Sequence, residues 1–331
     1  MRNEKVNLLA LFKEKKYYKI IIIIEQIKNE DKTPALLNLL GVCRMMSGNS
    51  NETIRLAIDD FRNSYFKEVD KKKSKETIKN LINASVSLFD SEYIKNQNEL
   101  SNNFFDEINL IYQENQELFH NDLNLMKAIL KVFKRTSSVK RVIDIINKAT
   151  HLHSDPDLIA SYNFFNNYIN DWSQKDHFDN SKKINDRLPV YSSQELINFK
   201  LPKNNKINLG FISSDIKSKH SITYFLKSLL TSYNKDKFKI HLYHNHDLVD
   251  DETVVEFNKY AYKYLHISRL KDVEAINKIR EDEIDIMIDL NGFSSNHRLP
   301  LIKNRLAPIQ VSWCGYTNTI GLNEMDYLIV D

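Results

Sequence analysis

The spacing of hydrophobic residues divides the chain into two parts. In residues 1–150, apolar residues recur at helical spacing, with almost no strand pattern. From Lys206 onward, short apolar runs alternate with amphipathic helical stretches. Strands that alternate with helices over short connections predict a parallel sheet with helices on both faces. The pattern therefore predicts an α plus α/β fold, in which a helical part precedes a doubly wound sheet.

The second part is predicted to contain both element types in regular order. The predicted strands are Ile207–Ser213, Phe238–His244, Tyr264–Ile267, Ile284–Leu290, Ile309–Trp313 and Tyr327–Val330. The predicted helices are Ile222–Tyr233, Glu252–Tyr262, Leu270–Glu281 and Leu299–Asn304. The first strand–helix turn is polar and contains Asp215 and His220. Ligands of open α/β folds bind at such turns, because backbone N–H groups and the helix dipole meet there.

The helical part contains a pattern that resembles the tetratricopeptide repeat. A first pair of helices is predicted at residues 6–12 and 17–27. A second pair is predicted around Leu37-x-x-Leu40-Gly41, followed by Gly48 and by an apolar face that includes Phe61. In that repeat, small residues let two helices approach closely, with a period of about 34 residues. A third pair is predicted at Ile78 to Leu88 and from Tyr93 onward, and the later helices match the pattern less well. An ordinary helical bundle stays open as the alternative.

Residues 151–205 are predicted to be a helical connector. The segment 153–157 has the composition of a turn and helix cap, and a polar helix is predicted at Gln174 to Lys183. Pro189, Ser192, Ser193 and Pro202 to Lys206 indicate a boundary loop. The predicted domains are therefore residues 1–150, 151–205 and 206–331.

Composition narrows the class of protein. The net charge of +3 is close to balance, so charge gives no reason to expect a nucleic-acid partner. Two distant cysteines, Cys43 and Cys314, fit a reducing cytosol better than a disulfide framework. The longest apolar run, Ile20–Ile24, is flanked by Lys19 and Glu25 and is too short to span a bilayer. We therefore predict a soluble cytoplasmic protein, without a secretory leader or a membrane partner.

The residues alone bear on three kinds of site. The first strand–helix turn has no G-x-G-x-x-G or P-loop pattern, which argues against an NAD or ATP site. His241, His244 and His246 could belong to a metal site, but zinc needs three or four convergent ligands, so we interpret them as surface and loop histidines. Asp289 follows a buried strand and could orient a substrate hydroxyl, although capping of the next loop is favoured.

Six segments together resemble the family of O-linked N-acetylglucosamine transferases and Spindly-like proteins. They occur in the family's order and at similar separations, which makes the set more specific than any one member. The segments are L-G-F-I-S-S-D at 209–215, K-H-S-I-T-Y-F at 219–225, I-M-I-D-L-N-G at 286–292, A-P-I-Q-V-S-W at 307–313, G-Y at 315–316 and M-D-Y at 325–327.

The resemblance implies a fold and an activity. Members of the family carry tetratricopeptide repeats before two Rossmann-like halves, the GT-B architecture. They transfer a sugar from a nucleotide diphosphate donor to Ser or Thr of proteins, with inversion. The implied donor here is a UDP-sugar, with N-acetylglucosamine as the expected sugar, and no metal or cofactor is expected. The implied partners are protein or peptide acceptors bound through the helical repeats.

The resemblance also assigns residues. His220 matches a family histidine beside the reacting groups, and a neutral imidazole can accept a proton at cytosolic pH. Asp215 matches an acidic residue in the same turn, and both are expected to be catalytic. The expected substrate-binding residues are Ser221, Gly315, Tyr316 and Thr317.

This chain departs from the family pattern at several positions. The turn from Asp215 to His220 is one residue longer than in many members, Thr317 replaces the usual Pro, and Phe293 replaces a His of many bacterial members. The second Rossmann-like half is not in the sequence, so we expect the natural protein to continue past Asp331 and residues 1–331 alone to be inactive. Two other hypotheses stay open: a non-catalytic interaction protein with a remnant α/β domain, and a small-molecule binding domain.

Overall fold

The computed structural model describes residues 7–94, 99–169, 171–191, 206–247 and 251–330. The chain forms two compact units, Met1–His153 and Ser154–Asp331. In its described residues the first unit is helical, and the second consists of two helices followed by a six-stranded parallel sheet with its own helices. The predicted α plus α/β fold is confirmed.

Helices of the first unit begin where the sequence offers capping residues. Thr33, Ser50, Asp122 and Ser138 each accept a hydrogen bond from a backbone N–H of the first helical turn. A 3₁₀ turn at Lys71–Ser74 leads directly into the fifth helix. The helices are α1 Leu8–Lys13, α2 Tyr17–Glu25, α3 Pro34–Ser47, α4 Asn51–Lys67, α5 Lys75–Ile94, α6 Glu99–Glu114, α7 Gln116–His120, α8 Leu123–Thr136 and α9 Val139–Leu152.

Close packing of α3 on α4 depends on Gly41. A Cβ at this position would lie 2.6 Å from the ring of Phe61, which is only 1% exposed. The pair thus packs through a small residue, as a tetratricopeptide-like pair does. Membership of that repeat class stays a prediction.

The third predicted helix pair differs from the structure. We expected a break between Leu88 and Tyr93, but α5 continues to Ile94 and α6 begins at Glu99. The physical reason is that the segment Phe89–Tyr93 has no Gly or Pro to end a helix.

The second unit begins with two helices, α10 Pro156–Asn166 and α11 Gln174–Asn185. Asp155 caps α10 through the Leu158 N–H, and Ser173 forms a capping box with Asp176 at the start of α11. Both lie in the segment that we predicted as a connector, and both pack within the second unit. Most of the predicted boundary loop, from Ser192 through residue 205, lies outside the described residues.

The sheet has the strand order β3-β2-β1-β4-β5-β6, and all its neighbouring strands are parallel. This is a doubly wound order: β2 and β3 are added on one side of β1, and β4, β5 and β6 are added on its other side, so the strand order reverses between β1 and β4. The strands are β1 Ile207–Ser213, β2 Phe238–His244, β3 Lys263–His266, β4 Ile286–Asp289, β5 Ile309–Trp313 and β6 Tyr327–Ile329. The helices between them are α12 Ser221–Ser232, α13 Glu252–Tyr260, α14 Asp272–Arg280 and α15 Leu299–Lys303.

Helices cover both faces of the sheet. Successive strand residues contribute to opposite cores, so Phe211 packs with α12 and α13, whereas Ile212 packs with α10, α11, α14 and α15. The α10 and α11 residues in the second core are Ile159, Ala160 and Ile184. The two helices that precede β1 are therefore part of the sheet's own hydrophobic core.

Our interpretation of the β2 histidines was wrong. His241 and His244 are buried rather than at the surface, and His244 is the last residue of β2 rather than a loop residue. The reason is that a parallel sheet covered on both faces has no solvated side. Only His246, which is partly buried, lies in the loop that follows.

Candidate functional site

The candidate site is formed by the loops that leave β1, β4 and β5 at their carboxyl ends. β1 pairs with both β2 and β4, so the strand order reverses between β1 and β4. Loops on the two sides of such a point diverge and leave a crevice, which is where open α/β folds bind ligands. The polar turn 213–220 borders this crevice, as the sequence predicted.

Asn291 links the β1 turn to the β4 loop. Its side-chain oxygen accepts the backbone N–H of Ser214 at 2.8 Å. Its side-chain nitrogen lies within hydrogen-bonding distance of Ser214 Oγ (2.8 Å), Ser294 Oγ (2.9 Å) and Asp215 Oδ2 (3.1 Å). Asn291 is itself buried. A buried amide with this many partners fixes the relative position of the two loops.

Asp289 caps the β4 loop from within. Its carboxylate accepts the backbone N–H groups of Gly292 at 2.8 Å and Asn291 at 3.2 Å. Burial raises the pKa of Asp289 to about 6, and the two backbone hydrogen bonds oppose that rise. The favoured interpretation of Asp289 as a capping residue is confirmed.

His220 lies beside Asp215 at the rim of this turn. Their closest atoms, His220 Nε2 and Asp215 Oδ1, are 3.6 Å apart, which is longer than a hydrogen bond. Asp215 instead accepts hydrogen bonds from Asn291 and from the Lys217 ammonium, the latter at 3.2 Å. His220 also caps α12, because its Nδ1 accepts the Ile222 N–H at 3.4 Å.

These contacts determine which form of His220 is present near neutral pH. Burial lowers the pKa of His220, Lys217 lowers it further, and Asp215 opposes both effects. The ring is therefore neutral at pH 7. An Nδ1 that accepts from Ile222 leaves the proton on Nε2, on the side of Asp215. The ring thus presents a donor toward Asp215, and release of the long Ile222 bond would free Nδ1 to accept a proton.

The β4 and β5 loops approach each other through two glycines. A Cβ on Gly315 would lie 1.6 Å from the carbonyl oxygen of Leu290. Gly292 has a positive φ of 53°, and a Cβ there would lie 2.3 Å from the Tyr316 Cβ. A larger residue at either position would displace backbone, so both glycines are needed for these loops to meet.

The predicted substrate-binding residues occupy different environments. Ser221 and Thr317 are exposed, and Gly315 is half-buried. The Tyr316 ring is buried, stacks on Phe164 and meets Phe293 edge-to-face. Burial raises the pKa of Tyr316 to about 12, so its hydroxyl stays protonated. A ligand in the crevice could therefore contact the backbone at Gly315 and Tyr316 more readily than the Tyr316 ring.

The loops that carry the predicted residues are connected through Asn291 and Gly292. Asp215 contacts Asn291 directly, and Gly292, the next residue, contacts Tyr316. Sequence reasoning missed Asn291, although the D-L-N-G segment was noted. A polar residue directly after a buried strand was the available clue, and only the adjacency of β1 and β4 shows what it binds.

The described residues contain no group of three or more His, Cys, Asp or Glu side chains arranged to hold a metal ion. None of their helices is long and apolar enough to cross a bilayer. Cys43 and Cys314 are both free thiols.

The strand order, together with a polar crevice where it reverses, defines the second unit as a Rossmann-like α/β domain. Comparison with known proteins agrees. Residues 186–331 match the model of glycosyl transferase family 41. The structure is similar to that of an O-GlcNAc transferase mutant from Thermobaculum terrenum, with a TM-score of 0.67 and 16% sequence identity. The superposition covers 90% of this chain and 54% of that chain. At this identity the likeness shows the fold.

Curated relatives cover much the same part of the chain. SPINDLY of Arabidopsis thaliana, named a probable UDP-N-acetylglucosamine–peptide N-acetylglucosaminyltransferase, is 32% identical over 176 residues, which are 52% of this chain and 19% of that protein. SPINDLY of Petunia hybrida is 35% identical over 130 residues, or 37% of this chain and 13% of that protein. The chain thus spans less than a fifth of these relatives. The family 41 model thus matches residues 186–331, just under half of this chain.

Proposed function

We propose that this chain is part of a protein O-glycosyltransferase. The reaction would move N-acetylglucosamine from a UDP-sugar to Ser or Thr of an acceptor protein, with inversion. The observation that carries the proposal is the polar crevice at the strand-order reversal, within a segment that matches family 41. The donor is a substrate in this proposal, which includes no metal or cofactor. The proposed compartment is the cytoplasm.

The two units have different roles in the proposal. The α/β unit supplies one wall of the transfer site, with His220 and Asp215 as catalytic residues and Ser221, Gly315, Tyr316 and Thr317 as contacts to substrate. It would form the first half of a GT-B catalytic region. The helical unit, which we interpret as tetratricopeptide-like, would bind the acceptor protein. Close helix packing of the Gly41–Phe61 type supports that interpretation.

The role proposed for His220 follows from its neutral ring. With Nδ1 released from Ile222, the ring could take the acceptor hydroxyl's proton at Nδ1 while Nε2 keeps its own proton, 3.6 Å from the Asp215 carboxylate that would stabilise the resulting cation. This arrangement needs the neutral form. Because the pKa of His220 is lowered, activity should persist through neutral pH and fall as pH drops below the ordinary histidine value of about 6.5.

Replacement of His220 in the longest natural reading frame tests the proposal. We expect His220→Ala to lower kcat by roughly 10²-fold or more, the range for a general base. Thr231→Ala serves as the matched control, because Thr231 lies at the other end of α12 and bonds only within that helix. Sugar transfer to a library of acceptor peptides, read by mass spectrometry, is the measurement.

The outcomes separate the hypotheses. If the wild-type protein transfers no sugar under any donor but still binds partner proteins, the non-catalytic interaction protein is the better description. If transfer occurs and His220→Ala retains normal turnover, His220 has no part in the mechanism. Circular dichroism of each variant shows whether loss of activity is loss of fold.

A further inference from the structure

The loop 315–321 is held by a side chain from outside the sheet. Asn167, just beyond the end of α10, donates from Nδ2 to the Tyr316 hydroxyl at 2.9 Å. Its Oδ1 accepts a hydrogen bond from the Asn318 side chain at 3.2 Å. One amide therefore holds two positions of the loop, and exposed Thr317 lies between them. We call this pair of hydrogen bonds the Asn167 bridge.

The neighbouring helix α11 fixes the far end of the same loop. The Ser181 hydroxyl donates to the Thr319 carbonyl at 3.0 Å. A Cβ on Gly321, which has a positive φ of 65°, would lie 2.5 Å from the Ser181 backbone. The loop is thus attached to α11 at residues 319–321 by close backbone approach, whereas residues 316–318 are attached mainly through Asn167.

The Asn167 bridge spans Thr317, a residue whose backbone is not restricted by its own side chain. Thr317 leaves φ at this position free, whereas a proline would fix it near −65°. Buried Tyr316 anchors one side of Thr317 through its ring, and the bridge anchors the other side through Asn318. The same amide gives the buried Tyr316 hydroxyl its shorter hydrogen bond, beside the long one that this hydroxyl donates to the Asn163 carbonyl at 3.5 Å.

We propose that Asn167 is a positioning residue that fixes the conformation of loop 315–318 and, through it, the affinity for the sugar donor. The second clause rests on the proposed function, in which this loop contacts substrate. Asn167 itself does not touch the reacting groups. Its effect is to reduce the conformations that the loop must give up when a ligand binds.

Hydrogen–deuterium exchange of the 331-residue chain tests the bridge without reference to activity. We expect Asn167→Ala to speed exchange of the 315–321 amides at least about fivefold, the lower end of the effect of losing both hydrogen bonds of the bridge. Asn167→Asp should also speed exchange, because a carboxylate oxygen in place of Nδ2 would lie against the Asn163 and Phe164 carbonyl oxygens, to which the amide now donates at 3.0 and 3.2 Å. The matched control Asn180→Ala removes an asparagine whose amide bonds within α11. Unchanged exchange in Asn167→Ala would overturn the bridge.

Steady-state kinetics of the full-length protein tests the effect on the donor. We expect Asn167→Ala to raise KM for UDP-N-acetylglucosamine about fivefold with kcat nearly unchanged, the pattern of weakened uniform binding. Asn167→Asp should raise KM in the same way, since a carboxylate cannot donate as the amide nitrogen does. A looser loop with an unchanged KM would overturn the link to the donor. A wild-type protein with no transferase activity would instead refute the proposed function, and the exchange data would still decide whether Asn167 fixes the loop.

Discussion

At the scale of single residues, His244 sits where charge is hardest to accommodate. Its side chain is fully buried at the end of β2, and neither ring nitrogen has a hydrogen-bond partner among the described residues. Burial lowers the pKa of His244 to about 3. The nearby His266, His246 and Lys217 side chains lower this pKa further, whereas the Asp251 carboxylate raises it. In the folded protein the ring therefore stays neutral until the pH approaches 3. In the unfolded chain the same ring takes up a proton once the pH falls below about 6.5.

This burial predicts acid sensitivity of the α/β unit. Between pH 6.5 and 3 the unfolded chain binds a proton at this position that the folded chain does not, so stability falls as pH drops. From about pH 7.5 to about pH 5, His244 alone should cost about 2 kcal/mol of unfolding free energy. His244→Gln should remove that part of the pH dependence.

The measurement is urea unfolding followed by tryptophan fluorescence. Both tryptophans, Trp172 and Trp313, belong to the second unit, so their emission reports its unfolding. His220→Gln provides the comparison, since the partly exposed His220 ring should change the pH dependence less. A His244→Gln protein with the wild-type pH dependence would contradict the prediction.

The sequence could not reveal this environment for His244. Alternation along Phe238–His244 correctly separates the residues of the two faces, so His241 was assigned to the face of Tyr243. Whether a face meets solvent depends on which helices cover it, and that is a tertiary property. The same limit applies to Asn291, whose partners Ser214 and Asp215 lie more than 70 positions earlier in the chain.

At the scale of secondary-structure elements, the strands follow closely from their composition. Three of the six have the predicted bounds, because Gly, Pro and polar residues mark where they begin and end. β4 is shorter than the predicted Ile284–Leu290, since only Ile286–Asp289 is in register with both β1 and β5. Strand length is thus set by neighbouring strands, which local pattern does not show.

Helix pairing in the first unit gives an element-scale prediction. Gly41→Ala should destabilise the helical unit by about 1–3 kcal/mol, because the added methyl group would overlap the Phe61 ring. Alanine favours a helix over glycine by about 1 kcal/mol. This gain is smaller than the cost of packing an extra methyl group against the Phe61 ring, which is only 1% exposed. Urea unfolding followed by circular dichroism is the measurement.

A matched glycine controls for backbone effects. Gly48 has extended backbone, and a Cβ there would meet nothing closer than Thr53 Oγ1 at 3.9 Å. Gly48→Ala should therefore change stability by less than about 0.5 kcal/mol. A double-mutant cycle of Gly41→Ala with Phe61→Leu should show favourable coupling, since the smaller side chain makes room. Equal effects of the two glycine replacements would show that α3 and α4 do not depend on close approach.

At the scale of the whole molecule, the described part of the chain contains one Rossmann-like sheet and one crevice at its reversal point. The cation in the turn that borders the crevice nearest Asp215 is Lys217, whose ammonium already bonds that carboxylate. A UDP-sugar carries a diphosphate, which needs several unpaired donors or cations to bind tightly. We therefore expect residues 1–331 to bind UDP-N-acetylglucosamine with a Kd weaker than about 1 mM.

Isothermal titration calorimetry checks this expectation, with the donor titrated into residues 1–331 and, separately, into the full-length protein. If the natural protein continues past Asp331 with a second Rossmann-like half, that protein should bind the same donor at least about a hundredfold more tightly, a difference of roughly 2.7 kcal/mol. A Kd below about 10 μM for residues 1–331 would mean that the crevice between β1 and β4 is a complete donor site. In that case Lys217→Ala should weaken binding, because Lys217 would have to exchange its Asp215 partner for a phosphate oxygen.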